Sequence, residues 1–100
     1  MARVLLDLNN REFQHGWFAM EREEQLAVLD TLQKVLQLDW DQLYRDRGLR
    51  WEAIQSRTGP HRGRIYSLRI TKRSRAVAYR DGDFLRFLGV YADHDETYKK

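Results

Sequence analysis

The chain has 100 residues, no cysteine, and 42% hydrophobic against 33% charged residues. That is enough apolar content for one modest core and too much for a disordered chain. It excludes a disulfide scaffold, a Cys-ligated zinc site, an iron–sulfur cluster and a Cys nucleophile. The net charge is +3, but residues 1–56 sum to −3 and residues 57–100 to +6. Eight cations and no acid lie between Arg57 and Arg80, and 14 of the 18 basic residues are arginine. Arginine binds phosphate and carboxylate through a planar, bidentate fork. The bias therefore points to an anionic partner, either nucleic acid or an acidic protein, with a plain solvated basic face as the alternative.

No apolar run reaches the roughly 18–20 residues of a membrane span. Asp7 interrupts the apolar stretch that a secretory leader needs, so the expected location is cytoplasmic with no membrane partner.

Arg3 to Leu8 is a short apolar run and an expected strand. Asn9 or Asn10 can cap a short helix over residues 10–18, Asn9 with Glu12 forming a capping box. Residues 21–38 make the firmest helix. Leu26, Leu29, Leu32 and Leu36 step by three, three and four and are expected on one face, with Glu21, Glu23 and Glu24 at its positive end. Asp39 and Gln42 fit a second capping box for a turn of helix through Tyr44, ended by Gly48.

From Leu49 the periodicity changes. Residues 49–56 are an expected strand, and Gly59-Pro60-His61-Arg62-Gly63 a loop. In Arg64–Thr71, Tyr66, Leu68 and Ile70 alternate with Ser67, Arg69 and Thr71, which is a strand with one apolar face. Residues 75–80 alternate likewise, Asp81-Gly82 is a hairpin-turn signal, and Phe84–Tyr91 is apolar on both faces except at Arg86, as an inner strand is. The element order implies an α+β fold. It has an N-terminal strand and two to three helices on one face of a largely antiparallel sheet of about four to five strands, all in one domain spanning 1–100.

Three features carry chemistry. If Tyr66, Leu68 and Ile70 face the helices, Arg69 faces solvent or a ligand, and the turn Lys72-Arg73 feeds Arg75 into the next strand. Arg57, Arg62 and Arg64 flank the preceding loop. The second feature is Asp93-His94-Asp95-Glu96-Thr97-Tyr98, directly after the last strand. Its histidine titrates near neutrality and suits acid–base work, against the alternative of a solvated acidic tail. The third is His61 in its Gly-rich loop, where the backbone can approach a phosphate. His15 has the character of a surface residue. With only three histidines, His15, His61 and His94, a catalytic metal site and an HD-type phosphohydrolase both lack ligands. Trp17, Trp40 and Trp51 are expected in the core, with stacking on RNA bases as the alternative, and Tyr66 and Tyr79 on apolar faces read the same way. No Walker loop, Gly-x-Gly-x-x-Gly or Gly-x-Ser-x-Gly occurs.

The segment from Arg64 to Leu88 resembles the RelE/ParE superfamily of bacterial type II toxins. The likeness lies in Tyr66-x-x-Arg69, a short basic turn, Arg75 opening the next strand, a hairpin, and the tail His94-x-x-x-Tyr98. The resemblance implies a ribosome-dependent endoribonuclease that cuts mRNA by 2′-OH attack, without a cofactor or metal. It implies that Arg75 clamps the scissile phosphate with help from Arg69, that His94 is acid or base, and that Tyr98 stacks on a base or shares in proton transfer. Arg57, His61, Arg62, Arg64, Lys72 and Arg73 would bind RNA. The implied partners are the ribosome, mRNA and a cognate antitoxin that forms a hetero-oligomer with the toxin and covers its arginines. Some relatives poison DNA gyrase, which makes a non-enzymatic toxin or toxin-like binding module the alternative.

Overall fold

The computed structural model describes residues 2–58 and 63–92, without the side chains of 56–58. The elements run β1 (Leu5–Asp7), α1 (Arg11–Ala19), α2 (Arg22–Leu36), α3 (Trp40–Arg45), β2 (Glu52–Thr58), β3 (Arg64–Thr71), β4 (Ser74–Asp81) and β5 (Phe84–Ala92). The strands form one sheet in the order β1-β5-β4-β3-β2. β1 runs parallel to β5 and every other pair is antiparallel, so the molecule is α+β with a largely antiparallel sheet.

The helices cover one face. Leu68 of β3, Ala76 and Ala78 of β4, and Leu85, Phe87 and Val90 of β5 point into the main core against Phe13, Val28, Leu32, Val35, Trp40 and Leu43. The two alanines are the small residues of the central strand and let the helices lie close. α1 sits on β5, with Phe13 against Phe87 at 5.2 Å between ring centroids. A Cβ at Gly16 would lie 3.2 Å from the Val90 carbonyl oxygen, so this approach favours glycine. Trp17 is partly buried, Trp40 is buried, and Trp51 packs against the same core, as their size predicts.

Five details differ from the sequence expectations. β1 starts at Leu5 rather than Arg3, because Val4 N–H donates to Leu38 and Arg3 bridges Asp39, tying these residues to the α2–α3 junction. The cap of α1 is Asn10, whose side chain accepts from Phe13 N–H, with no capping box from Asn9. α3 does have the expected Asp39–Gln42 box, but it ends at Asp46, not Gly48. The Asp46 carboxylate accepts from Leu49 N–H and Lys34 Nζ and turns the chain there. The left-handed residue before β2 is Arg50, φ 49°, and β2 begins at Glu52, not Leu49.

The fifth concerns α2. Its buried residues are Val28, Thr31, Leu32 and Val35, whereas Leu26, Leu29 and Leu36 are 51%, 40% and 54% exposed. At about 100° per residue, Val28, Leu32 and Val35 share one narrow stripe, and the leucine stripe overlaps it only at Leu32. The valines select the buried face, and three leucines are left outside.

Candidate nucleic-acid interface

The sheet face away from the helices carries Ile65, Ser67 and Arg69 of β3. Beside them lie Arg75, Val77 and Tyr79 of β4, and Arg86, Leu88 and Tyr91 of β5. Ile54, Ile65 and Val77 form a small second cluster here, with Tyr79, Leu88 and Tyr91 packed on it. Tyr79 is therefore partly buried against this cluster rather than in the main core.

The register places three side chains in a row across this face. Arg69 is the direct partner of Arg75, and Arg75 is the direct partner of Tyr91. The alternation of β3 produces this: Leu68 and Ile70 pack on the helices, so Arg69 must point the other way. Like charges on directly opposed residues of an antiparallel pair destabilise it. Arg69 Nε and Ser67 Oγ, two residues away, are buried and lack a hydrogen-bond partner among the described residues. This part of the face thus puts two arginines on directly opposed residues, with an unpaired donor on Arg69, an arrangement suited to an anion.

Tyr91 is a residue the sequence reading missed. In the next row Val77 pairs with Gly89, and Ala78 pairs with Phe87, so Leu88 is an inserted residue. Counting by twos from Phe87 would put Tyr91 on the helix side; the bulge shifts the period by one, so Val90 turns to the helices and Tyr91 to this face. Gly89 lies under the Tyr91 ring: a Cβ there would come within 2.7 Å of Tyr91 Cζ. A glycine two residues before an aromatic on an inner strand was the available signal.

The β3–β4 turn, Lys72-Arg73, borders the row. Thr71 Oγ1 accepts from Arg73 N–H at 3.0 Å and lies 2.9 Å from Ser74 Oγ, which fixes the turn. Lys72 and Arg73 are exposed. Arg64 is elsewhere: it lies at the far end of β3, on the helix side with Tyr66, and lines a different cleft. Arg57 belongs to β2, its side chain outside the description. His61, Arg62, His94 and Tyr98 lie outside the described residues. Ala92, the last described residue, is opposite Ser74, next to Arg75.

At the opposite edge of this face Arg86 is neutralised. It donates through Nη1 to Asp7 and through Nε to Asp81 at 2.9 Å. The Asn9 N–H and the Arg86 guanidinium hold the Asp7 carboxyl below its ordinary pKa. Hydrogen bonds to Asp7 and Asp81 keep Arg86 charged. Arg86 is thus a structural tie between β1, β4 and β5, unlike Arg69. Among the described residues, no group of three His, Asp or Glu side chains can hold a metal ion, and no helix is long and apolar enough to cross a membrane.

No family model and no curated protein matches the chain. Among solved structures, a copper-bound mutant toxin from Helicobacter pylori is similar, with a TM-score of 0.52 and 19% sequence identity. The alignment covers 97% of this chain and 99% of that one. At this identity the two share a fold, over nearly their whole lengths.

Proposed function

We propose that this protein is the toxin of a type II toxin–antitoxin pair, a ribosome-dependent endoribonuclease that cuts mRNA. The observation that carries the reading is the Arg69–Arg75–Tyr91 row on the open sheet face. The resemblance of residues 64–98 to RelE/ParE toxins and the fold shared with a Helicobacter pylori toxin support it.

In this reading the scissile phosphate lies between the two guanidinium groups, and a neighbouring base stacks on Tyr91. A base takes the proton of the ribose 2′-OH, and the 2′-oxygen attacks the adjacent phosphorus. The bond to the 5′-oxygen then breaks, and an acid protonates the leaving oxygen. The products are a 2′,3′-cyclic phosphate and a 5′-hydroxyl. Arg69 and Arg75 stabilise the extra negative charge that develops on the phosphoryl oxygens. His94 supplies acid or base, and Tyr98 assists. Lys72 and Arg73 hold flanking phosphates. The antitoxin is an acidic or amphipathic segment that covers these cations. The leucines exposed on α2 offer it apolar contact.

The test is primer extension on a defined message in a reconstituted bacterial translation reaction, with and without ribosomes, for the wild type and His94→Ala. The reading predicts cuts at ribosome-positioned codons that vanish in the variant. An intact message with undisturbed translation refutes the nuclease, and gyrase supercoiling becomes the next assay.

A further inference from the structure

On the helix side of the sheet, at the end of β3 and β4 away from the Arg69–Arg75 row, four aromatic rings meet. Trp51 stacks on Tyr66 at 4.4 Å and 16°. Tyr44 of α3 lies 5.9 Å from Trp51 and 5.7 Å from Trp40, and Trp40 meets Trp51 edge-on at 6.0 Å. Only Trp40 is fully buried. Trp51 and Tyr66 are half-buried and Tyr44 is exposed. The rings lie beside a cleft of about 470 Å³ lined by Tyr44, Arg64, Tyr66, Arg80 and Gly82.

Two arginines serve this cleft in different ways. Arg80 is fixed: its guanidinium lies 4.3 Å over the Trp40 ring. It donates to Tyr44 Oη at 2.8 Å and to the Gly82 carbonyl at 2.7 Å, and is 3.8 Å from Asp83. The Arg64 side chain has no hydrogen bond or ion pair among the described residues. Tyr66 pairs with Ala78, and two residues further along the two strands are Arg64 and Arg80.

We infer that this cleft is a stacking site for one nucleotide of single-stranded RNA, separate from the Arg69–Arg75 face. The base lies against the Tyr44 and Tyr66 rings, and its phosphate pairs with Arg64, aligned by the anchored Arg80. A flat aromatic surface beside arginine is how proteins hold unpaired bases. The rings and Arg80 are already held by their neighbours, so little ordering cost remains on binding. An acidic peptide would use the arginines but leave the stacked rings without a role. The inference does not depend on catalysis: it holds for a chain that cuts RNA and for one that only binds it.

The probes are 5′-AMP and a five-residue oligoadenylate, titrated into the full chain. Binding is followed by NMR at the Trp40 and Trp51 indoles and the Gly82 amide. Saturable shifts at Trp51 and Gly82 are expected, and they persist in Arg75→Ala, which separates this cleft from the opposite face. Tyr44→Ala weakens binding about tenfold, within the usual range for one stacked base, and Tyr44→Phe, which keeps the ring and loses only one of the contacts that hold Arg80, weakens it less. The exposed Arg64→Gln, which leaves the aromatic cluster intact, weakens it to a similar degree. Inorganic phosphate and a hexaglutamate peptide bind at least tenfold more weakly than AMP. Equal binding of phosphate or hexaglutamate overturns the inference, as do shifts confined to Tyr91 and Ser74, or Arg64→Gln binding like the wild type.

Discussion

Arg69→Met should make the free protein more stable while weakening its hold on RNA. Methionine keeps the apolar stem and removes the guanidinium. Arg69 and Arg75 are directly opposed across β3 and β4. Their Cβ atoms are therefore about 4.5–5.5 Å apart, and like charges so placed cost roughly 0.2–1 kcal/mol. Arg69 Nε is also buried with no acceptor among the described residues. An unsatisfied buried donor costs about 1–3 kcal/mol, and less for a side chain that is only half-buried. A gain of about 1 kcal/mol is the reasonable sum, and in a chain of this size it raises Tm by about 4–8 °C. The repulsive part is screened by salt, since the Debye length falls from about 30 Å at 0.01 M to 3 Å at 1 M. The assay is thermal unfolding of both proteins at 10 mM and 1 M sodium chloride, with and without a short RNA. The variant should lead by several degrees at low salt, lead by less at high salt, and gain less from RNA. A variant that melts at or below the wild type at low salt, with undiminished stabilisation by RNA, refutes the argument that this pair is kept for an anion.

Three other predictions follow from the packing and the ion pairs. Leu32→Ala should cost about 2–5 kcal/mol and Leu36→Ala less than about 0.5, read by urea unfolding, because only Leu32 is in the core. Gly89→Ala should displace the Tyr91 ring and weaken RNA binding, with a stability cost under about 1 kcal/mol, since the obstructing atoms are the far end of one side chain. Asp7 has a depressed pKa in the folded state. Its stabilising contribution is therefore complete above the unfolded carboxyl value of about 3.9 and is lost as pH falls through the lower folded value. Asp7→Asn should consequently be less stable than the wild type at pH 7, and the gap should close below pH 4. A gap that is constant from pH 7 to pH 2.5 contradicts the Asp7–Arg86 tie.

The β3 boundaries were legible because Tyr66, Leu68 and Ile70 alternate cleanly with Ser67 and Arg69, and the outward face of Arg69 followed from the same alternation. The capping box at Asp39 was legible because its chemistry is local. The buried face of α2 was not. Counting leucines alone favours a stripe that the two valines overrule once the sheet is in place, and only tertiary packing decides between them. Tyr91 was missed because the bulge at Leu88 breaks the period of two. The aromatic cleft was missed because Tyr44, Trp51 and Tyr66 come from α3, the α3–β2 connection and β3. Each alone has the character of a core residue, and only their meeting beside Arg64 and Arg80 makes a surface. His94 was singled out by its acid–base chemistry and by the resemblance, Tyr98 by the resemblance, and both lie outside the described residues.

The central claim is that the Arg69–Arg75 row meets the scissile phosphate. The most direct test is single-turnover cleavage of a ribosome-bound message by the wild type and Arg75→Ala, with ribosome affinity measured alongside. Loss of one preorganised charge donor raises the barrier by about 2.7–4 kcal/mol, so the account predicts a 10²–10³-fold slower cut with ribosome binding little changed. An Arg75→Ala protein that cuts at the wild-type rate would place the chemistry elsewhere on the molecule.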